Sequence, residues 1–212
     1  MEFAENQSRL HGKPVIYVAG NHEYYYHDFP TLLAEMRSFS GKHQHVYFLE
    51  NNEMVINGVR FLGTTLWTDY VGNGTQNREE NMAVINASLN DHKIIRMGER
   101  QFLPGDALAM HNTSKKWLSI KLTDFFGGKT VVITHHAPSL KCQHKLYDYS
   151  AIATGFLSDM DDLVAQADVW IYGHTHSNLD SKIGDCRLVS NQAGYPNEDL
   201  ALPFQPEWIL EI

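Results

Sequence analysis

Three histidine-bearing clusters carry the chemistry that the sequence offers. They are Gly20-Asn21-His22-Glu23, His135-His136-Ala137-Pro138 and Gly173-His174-Thr175-His176. Imidazole nitrogens suit zinc, iron, nickel and similar divalent ions, and amide or carboxylate oxygens complete such a shell. In His174-Thr175-His176 the two rings point the same way if the backbone stays extended. In a turn they diverge toward two different ions. Gly20 and Gly173 permit sharp turns just ahead of the ligands.

Each cluster follows directly on an apolar, β-rich run: Val15–Ala19, Thr130–Thr134 and Val169–Tyr172. Ligands in open α/β sheets bind beyond the carboxyl ends of the strands, so parallel neighbours would bring all three clusters to one edge. Between these runs the pattern supplies further elements. Pro30 suits the first turn of a helix with Asp28 as its cap and Leu32, Leu33 and Met36 as its apolar side. Val46–Leu49 reads as a strand. Met54–Ile56 and Val59–Leu62, joined by Asn57-Gly58, predict a hairpin with a type I′ turn. Residues 64–75 read as a loop.

Helices are expected from about Gln76 to Leu89 and from about Gly105 to Phe126. The second carries Leu118, Leu122 and Phe125 on one side and stops at Gly127-Gly128. Ser158 is placed to cap a helix through Leu163 and Val164. A hairpin over Leu179–Ser190 turns at Gly184-Asp185, and Trp208–Ile212 is expected to add a last strand. The segment Phe3 to Leu10 reads as the tail of a helix that ends at Gly12. The order predicts one α/β domain over residues 1–212, with mixed rather than purely parallel sheets.

The chain has 212 residues, a formal charge of -8 and two cysteines, Cys142 and Cys186. The acidic balance argues against a nucleic-acid backbone as main partner. It leaves phosphate chemistry open, because a bound metal inverts the local sign. Two cysteines do not make a disulfide framework, so cytoplasmic localisation is expected. No apolar run is long enough to span a bilayer, and no membrane association is expected.

Val18–Glu23, Thr134–Pro138 and Tyr172–His176 resemble, in order and in strand context, the third, fourth and fifth motifs of the calcineurin-like metallophosphoesterases. The resemblance runs from about Val15 to Ser190. It implies a β-sandwich of two mixed sheets flanked by helices, and hydrolysis of a phosphomonoester or phosphodiester by a metal-bound hydroxide. It also implies a divalent transition metal (manganese, iron, zinc or nickel), two ions in the family at large. Asn21, His135 and His174 would bind one ion and His176 the other. His22 would be the catalytic histidine that donates to the phosphate or protonates the leaving group.

The family's two earlier motifs, Asp-x-His and Gly-Asp, have no counterpart ahead of Gly20, and no aspartate precedes Asp28. The expectation is therefore a fold without its first strand–helix–strand unit, one ion or none tightly bound, and impaired activity. A sheet edge left exposed in this way predicts a homo-oligomer. The alternative is a catalytically inactive metal-binding or regulatory interaction protein. Glu23, Tyr24, His136, Trp67 and Asp69 are expected at the pocket rim, with His136 a neighbour of the site rather than a ligand. His27, His92, His111 and His144 show no partner in the sequence and read as structural or surface residues.

Overall fold

Apolar strands that end in ligand-bearing turns must be packed on both faces, and helices cover them here. The computed structural model describes residues 1–74 and 77–212. Helix α1 (Glu2–His11) ends at Gly12, whose left-handed φ of 60° lets its N–H reach the Ser8 carbonyl. Strand β1 (Val15–Tyr17) leads to a short 3₁₀ turn, His22–Tyr24. Helix α2 (Phe29–Lys42) is capped by Asp28, whose carboxylate accepts from Thr31 N. Strand β2 (Val46–Phe48) pairs parallel to β1 in a two-stranded sheet.

Strands β3 (Asn52–Ile56) and β4 (Val59–Thr64) form the expected hairpin, with φ of 51° at Asn57 and 79° at Gly58. Then come α3 (Arg78–Ser88), α4 (Asp91–Ile94), the small β5 (Arg96–Met97) and β6 (Arg100–Gln101) pair, and α5 (Pro104–Thr123). Strand β7 (Thr130–Thr134), helix α6 (Asp161–Val164), strand β8 (Val169–Ile171) and the hairpin β9 (Leu179–Ile183)–β10 (Cys186–Ser190) complete the order.

The main sheet is six-stranded, in the order β3-β4-β7-β8-β10-β9. Its four inner strands run parallel and the two hairpin partners at its edges run antiparallel. This is the expected α/β architecture of mixed sheet and flanking helices. The second layer is slighter than expected: β1 and β2 form a parallel pair, so mixed pairing is confined to the large sheet. Trp170, Leu62, Val132 and Leu188 fill one face of the large sheet under α5 and α6. A second core, rich in aromatics, joins Tyr24, Phe29, Trp67 and Phe102 between the β1–β2 layer and α3–α5.

Four local expectations change. The start proposed at Gln76 lies outside the described residues, and the described helix begins at Arg78. Helix α5 ends at Thr123, and Phe125 is 96% exposed. Asp124 closes the helix by donating its N–H to the Ile120 carbonyl, so the chain turns away before it reaches the glycines. Ser158 caps nothing; its hydroxyl accepts from Asp69 N, and Met160 precedes α6. Trp208 and Leu210 pack against Val131, Val169 and Val189 without strand pairing. That apolar cover saturates their side chains and leaves their backbone outside the sheet.

Candidate metal centre and active site

The three clusters do meet, but not at the edge of one sheet: β7 and β8 end side by side in the large sheet, and β1 brings the first cluster to them from the small β1–β2 sheet. Gly20 lies against the imidazole of His135, and a Cβ at that position would collide with the ring. Here glycine serves close approach, which the turn geometry alone does not demand. After β8 the left-handed positions are the ligand candidates themselves: His174 has φ 69° and His176 φ 50°. Backbone strain of this kind in a non-glycine residue costs on the order of 1–3 kcal/mol and concentrates at functional sites. The turn conformation separates the two rings, the second of the two sequence alternatives.

His135 Nε2 stands at the centre. Asn21 Oδ1 lies 3.0 Å from it and His174 Nδ1 3.1 Å. One ring nitrogen carries at most one proton, so a single hydrogen cannot explain both approaches equally. Burial pulls the pKa of His135 and of His174 well below the ordinary histidine value, and neighbouring histidines add to the effect. Both rings are therefore neutral, the form that ligates metals. The Nε2 of His174 is buried without a hydrogen bond, though the Gly155 backbone is close enough to favour its protonated form slightly.

Asn21 is held from behind. Its Nδ2 donates to Asp91 Oδ1 at 2.7 Å, and the Tyr25 hydroxyl donates to the same oxygen at 2.7 Å. This fixes the amide so that Oδ1 faces His135. Burial, then Asp91, pushes the Tyr25 pKa up and keeps the phenol protonated as a donor. Glu23 folds back, and its carboxylate accepts from Gly20 N at 2.6 Å. Thr65 ties two more strand ends in: its hydroxyl donates to the Ala19 carbonyl, and its own carbonyl lies 3.1 Å from His136 Nδ1.

His176 lines the same cavity but takes different partners. Its Nδ1 is 2.6 Å from Glu198 Oε2, and its backbone N–H donates to Gln192 Oε1 at 2.8 Å. Burial works to raise the Glu198 carboxyl, but the Tyr195 N–H and His176 outweigh it and hold its pKa below the usual value. The exposed His22 ring sits at the mouth, with Nε2 3.2 Å from the Tyr195 hydroxyl and its face 4.4 Å from the Tyr25 ring.

A cavity of about 1070 Å³ opens over these groups. Asn21, His22, Glu23, His135, His174 and His176 line it, as does His144. The remaining rim expectations are corrected. Tyr24 is fully buried and stacks on Phe29 at 4.1 Å. Trp67 is buried against Phe102, and Asp69 uses its carboxylate to accept from Val71 N. Left-handed backbone at Leu66, Trp67 and Tyr70 turns that loop's large apolar groups inward, where burial favours them. His136 is buried, 4.3 Å ring to ring from His174, and does not line the cavity.

The donors nearest to one another suit a divalent cation in chemical type. Asn21, His135 and His174 supply an oxygen and two neutral nitrogens. Among the described residues no three His, Cys, Asp or Glu side chains are arranged to hold a metal ion, and His176 meets a single carboxylate. Cys142 is buried and does not line the cavity, and burial pushes its thiol up to about 12. Sequence reasoning missed Asp91, Tyr195, Gln192 and Glu198. Asp91 follows no strand. The other three follow β10, and the run Cys186–Ser190 ending in Asn191-Gln192 carried the same strand-end signal as the histidine clusters.

A sequence model of the calcineurin-like phosphoesterases matches residues 1–178, most of the chain. The chain belongs to that family. A viral relative, the uncharacterized protein L509 of Acanthamoeba polyphaga mimivirus, is 23% identical over 218 residues; the match covers 93% of this chain and 73% of the relative. The fold is similar to that of the phosphopantetheinyl hydrolase from Mycobacterium tuberculosis, with a TM-score of 0.67 and 18% identity. That match covers 91% of this chain and 73% of the other. No described helix is long and apolar enough to cross a membrane.

Proposed function

We propose that this chain is a metal-dependent phosphoesterase whose single well-formed cation site is Asn21, His135 and His174. The convergence of Asn21 Oδ1 and His174 Nδ1 on His135 Nε2 supports this reading most directly. A divalent cation of the manganese, iron, zinc or nickel type, when bound, supplies positive charge against the phosphoryl oxygens and acidifies water.

The chain's own residues do the rest. Asp91 and Tyr25 hold the Asn21 amide in register. His22, exposed at the mouth, carries the proton that the leaving oxygen needs, and the Tyr195 hydroxyl orients its Nε2. Glu23 stiffens the turn between β1 and His22 by holding Gly20 N.

A second reading, a metal-binding protein without turnover, is favoured by one observation: His176 is paired with Glu198 rather than grouped with a carboxylate facing His135. Hydrolysis of p-nitrophenyl phosphate with added manganese separates the two. Turnover by the full chain that disappears in His135→Ala supports the phosphoesterase. Cation binding by calorimetry without turnover supports the second reading.

A further inference from the structure

The cavity extends well past the ligand cluster, and its two halves differ in chemistry. Its volume of about 1070 Å³ lies just above the range of small-molecule sites, roughly 300–1,000 Å³. A phosphoryl group at the Asn21–His135–His174 end leaves most of it to be filled. An apolar strip runs along the far wall beside the polar Asn90 and Ser150: Leu89 comes from the end of α3, and Ile152, Phe156 and Leu157 come from the 3₁₀ turn Ala151–Gly155 and the residues after it. This wall begins at the site itself, because the Phe156 ring stacks on the His174 ring at 4.5 Å and 21°.

The charges are equally one-sided. Glu23, Asp91, Asp148 and Glu198 line the cavity, and among the described lining residues none is lysine or arginine. One divalent cation balances one phosphoryl group, which carries a charge of about -1 to -2. A second phosphoryl group would meet carboxylates with no cationic side chain to offset them, a like-charge juxtaposition that disfavours binding.

We propose that the cavity takes phosphate esters with a single phosphorus atom and an uncharged, apolar organic arm, which lies on the wall formed by Leu89, Ile152 and Phe156. Esters with anionic or polyphosphate arms are rejected. This assignment rests on the phosphoesterase reading for the position of the phosphorus, and stands apart from it in what is measured.

The test is equilibrium binding to the full chain with added manganese, by calorimetry, of three non-hydrolysable probes: n-hexylphosphonate, methylphosphonate and methylenediphosphonate. Hexylphosphonate is expected to bind at least about tenfold more tightly than methylphosphonate, as an apolar pocket discriminates chain length. Methylenediphosphonate is expected to bind more weakly than hexylphosphonate. Ile152→Ser, at a partly exposed position outside the ligand cluster, should remove most of the hexyl preference and leave methylphosphonate unchanged. Leu89→Asn serves the same purpose should Ile152→Ser fail to fold by circular dichroism.

Equal affinity for the hexyl and methyl probes, tightest binding of the diphosphonate, or no binding of any probe would each overturn the proposal. Absence of p-nitrophenyl phosphate hydrolysis alongside an intact hexyl preference would sink the phosphoesterase reading and leave the apolar subsite standing. Hydrolysis without a hexyl preference would do the reverse.

Discussion

The inner and outer halves of the site are built on different supports. The inner half, Asn21, His135 and His174, hangs from the carboxyl ends of β1, β7 and β8, and its amide is locked by the buried Asp91. The outer half pairs His176 with Glu198 and His22 with Tyr195, and both partners come from the chain after β10. Strand ends are held by sheet hydrogen bonds and core packing. The later segment is held at the site by side-chain contacts and by Tyr195 N donating to Glu198. The difference teaches that the two histidines of His174-Thr175-His176, two residues apart, belong to halves held by different kinds of contact.

The comparison breaks most sharply at His135. His135→Ala removes the nitrogen that Asn21 and His174 both face. Manganese affinity should fall by more than about 100-fold, beyond the 10–100-fold typical of residues that only support ligands. Far-ultraviolet circular dichroism should be unchanged. Retention of wild-type affinity would show that the inner half is not the cation site.

Asp91→Ala tests whether the inner half depends on support behind it. The substitution leaves Asn21 free to rotate. A loss of metal affinity of about 10–100-fold is expected. Unfolding free energy should drop by roughly 1–3 kcal/mol, because Asn21 Nδ2 and the Tyr25 hydroxyl lose a buried acceptor. Calorimetry and urea unfolding on one sample measure both. Unchanged affinity with lowered stability would reduce Asp91 to a packing role.

Glu50 sharpens the comparison through pH. Burial raises its carboxyl pKa, against the opposing hydrogen bonds from Thr65 and Thr64. A raised carboxyl pKa means stability that is fully present below the unfolded value, near 4.5, and is lost as pH rises through the folded value. A tenfold difference in proton affinity between the folded and unfolded chains is worth about 1.4 kcal/mol. Urea unfolding should therefore show wild type losing stability relative to Glu50→Gln as pH rises from 4.5 toward neutrality. Parallel curves for the two proteins would argue that Glu50 is ionised at no cost.

Glu198→Gln is expected to do least. Replacing one member of a partly exposed His–Glu pair should change unfolding free energy by less than about 1 kcal/mol. It should leave cation affinity at the inner cluster nearly intact. A loss of affinity matching that of Asp91→Ala would erase the distinction between the halves.

The sequence alone determined the elements and the donors. Local rules place β1, β7 and β8, the Asn57-Gly58 turn and the Asp28 cap, since apolar runs, turn residues and caps act over a few positions. The three clusters are legible because their residue types and strand context are local too. Legibility ends at Trp67 and Asp69, where left-handed backbone in an irregular loop decides which side chains turn inward.

Only the tertiary structure decided which donors meet. Asn21 and His135 are 114 positions apart, and His135 and His174 39. Asp91 reaches Asn21 across 70 positions from a four-residue helix with no signature of its own. Parallel pairing sets the ends of β7 and β8 side by side, packing of the small β1–β2 sheet against the large one brings in β1, and no window of sequence contains either. The same holds for His174 and His176: their spacing left both orientations open, and positive φ at each, imposed by packing around the turn, sent one ring to His135 and the other to Glu198.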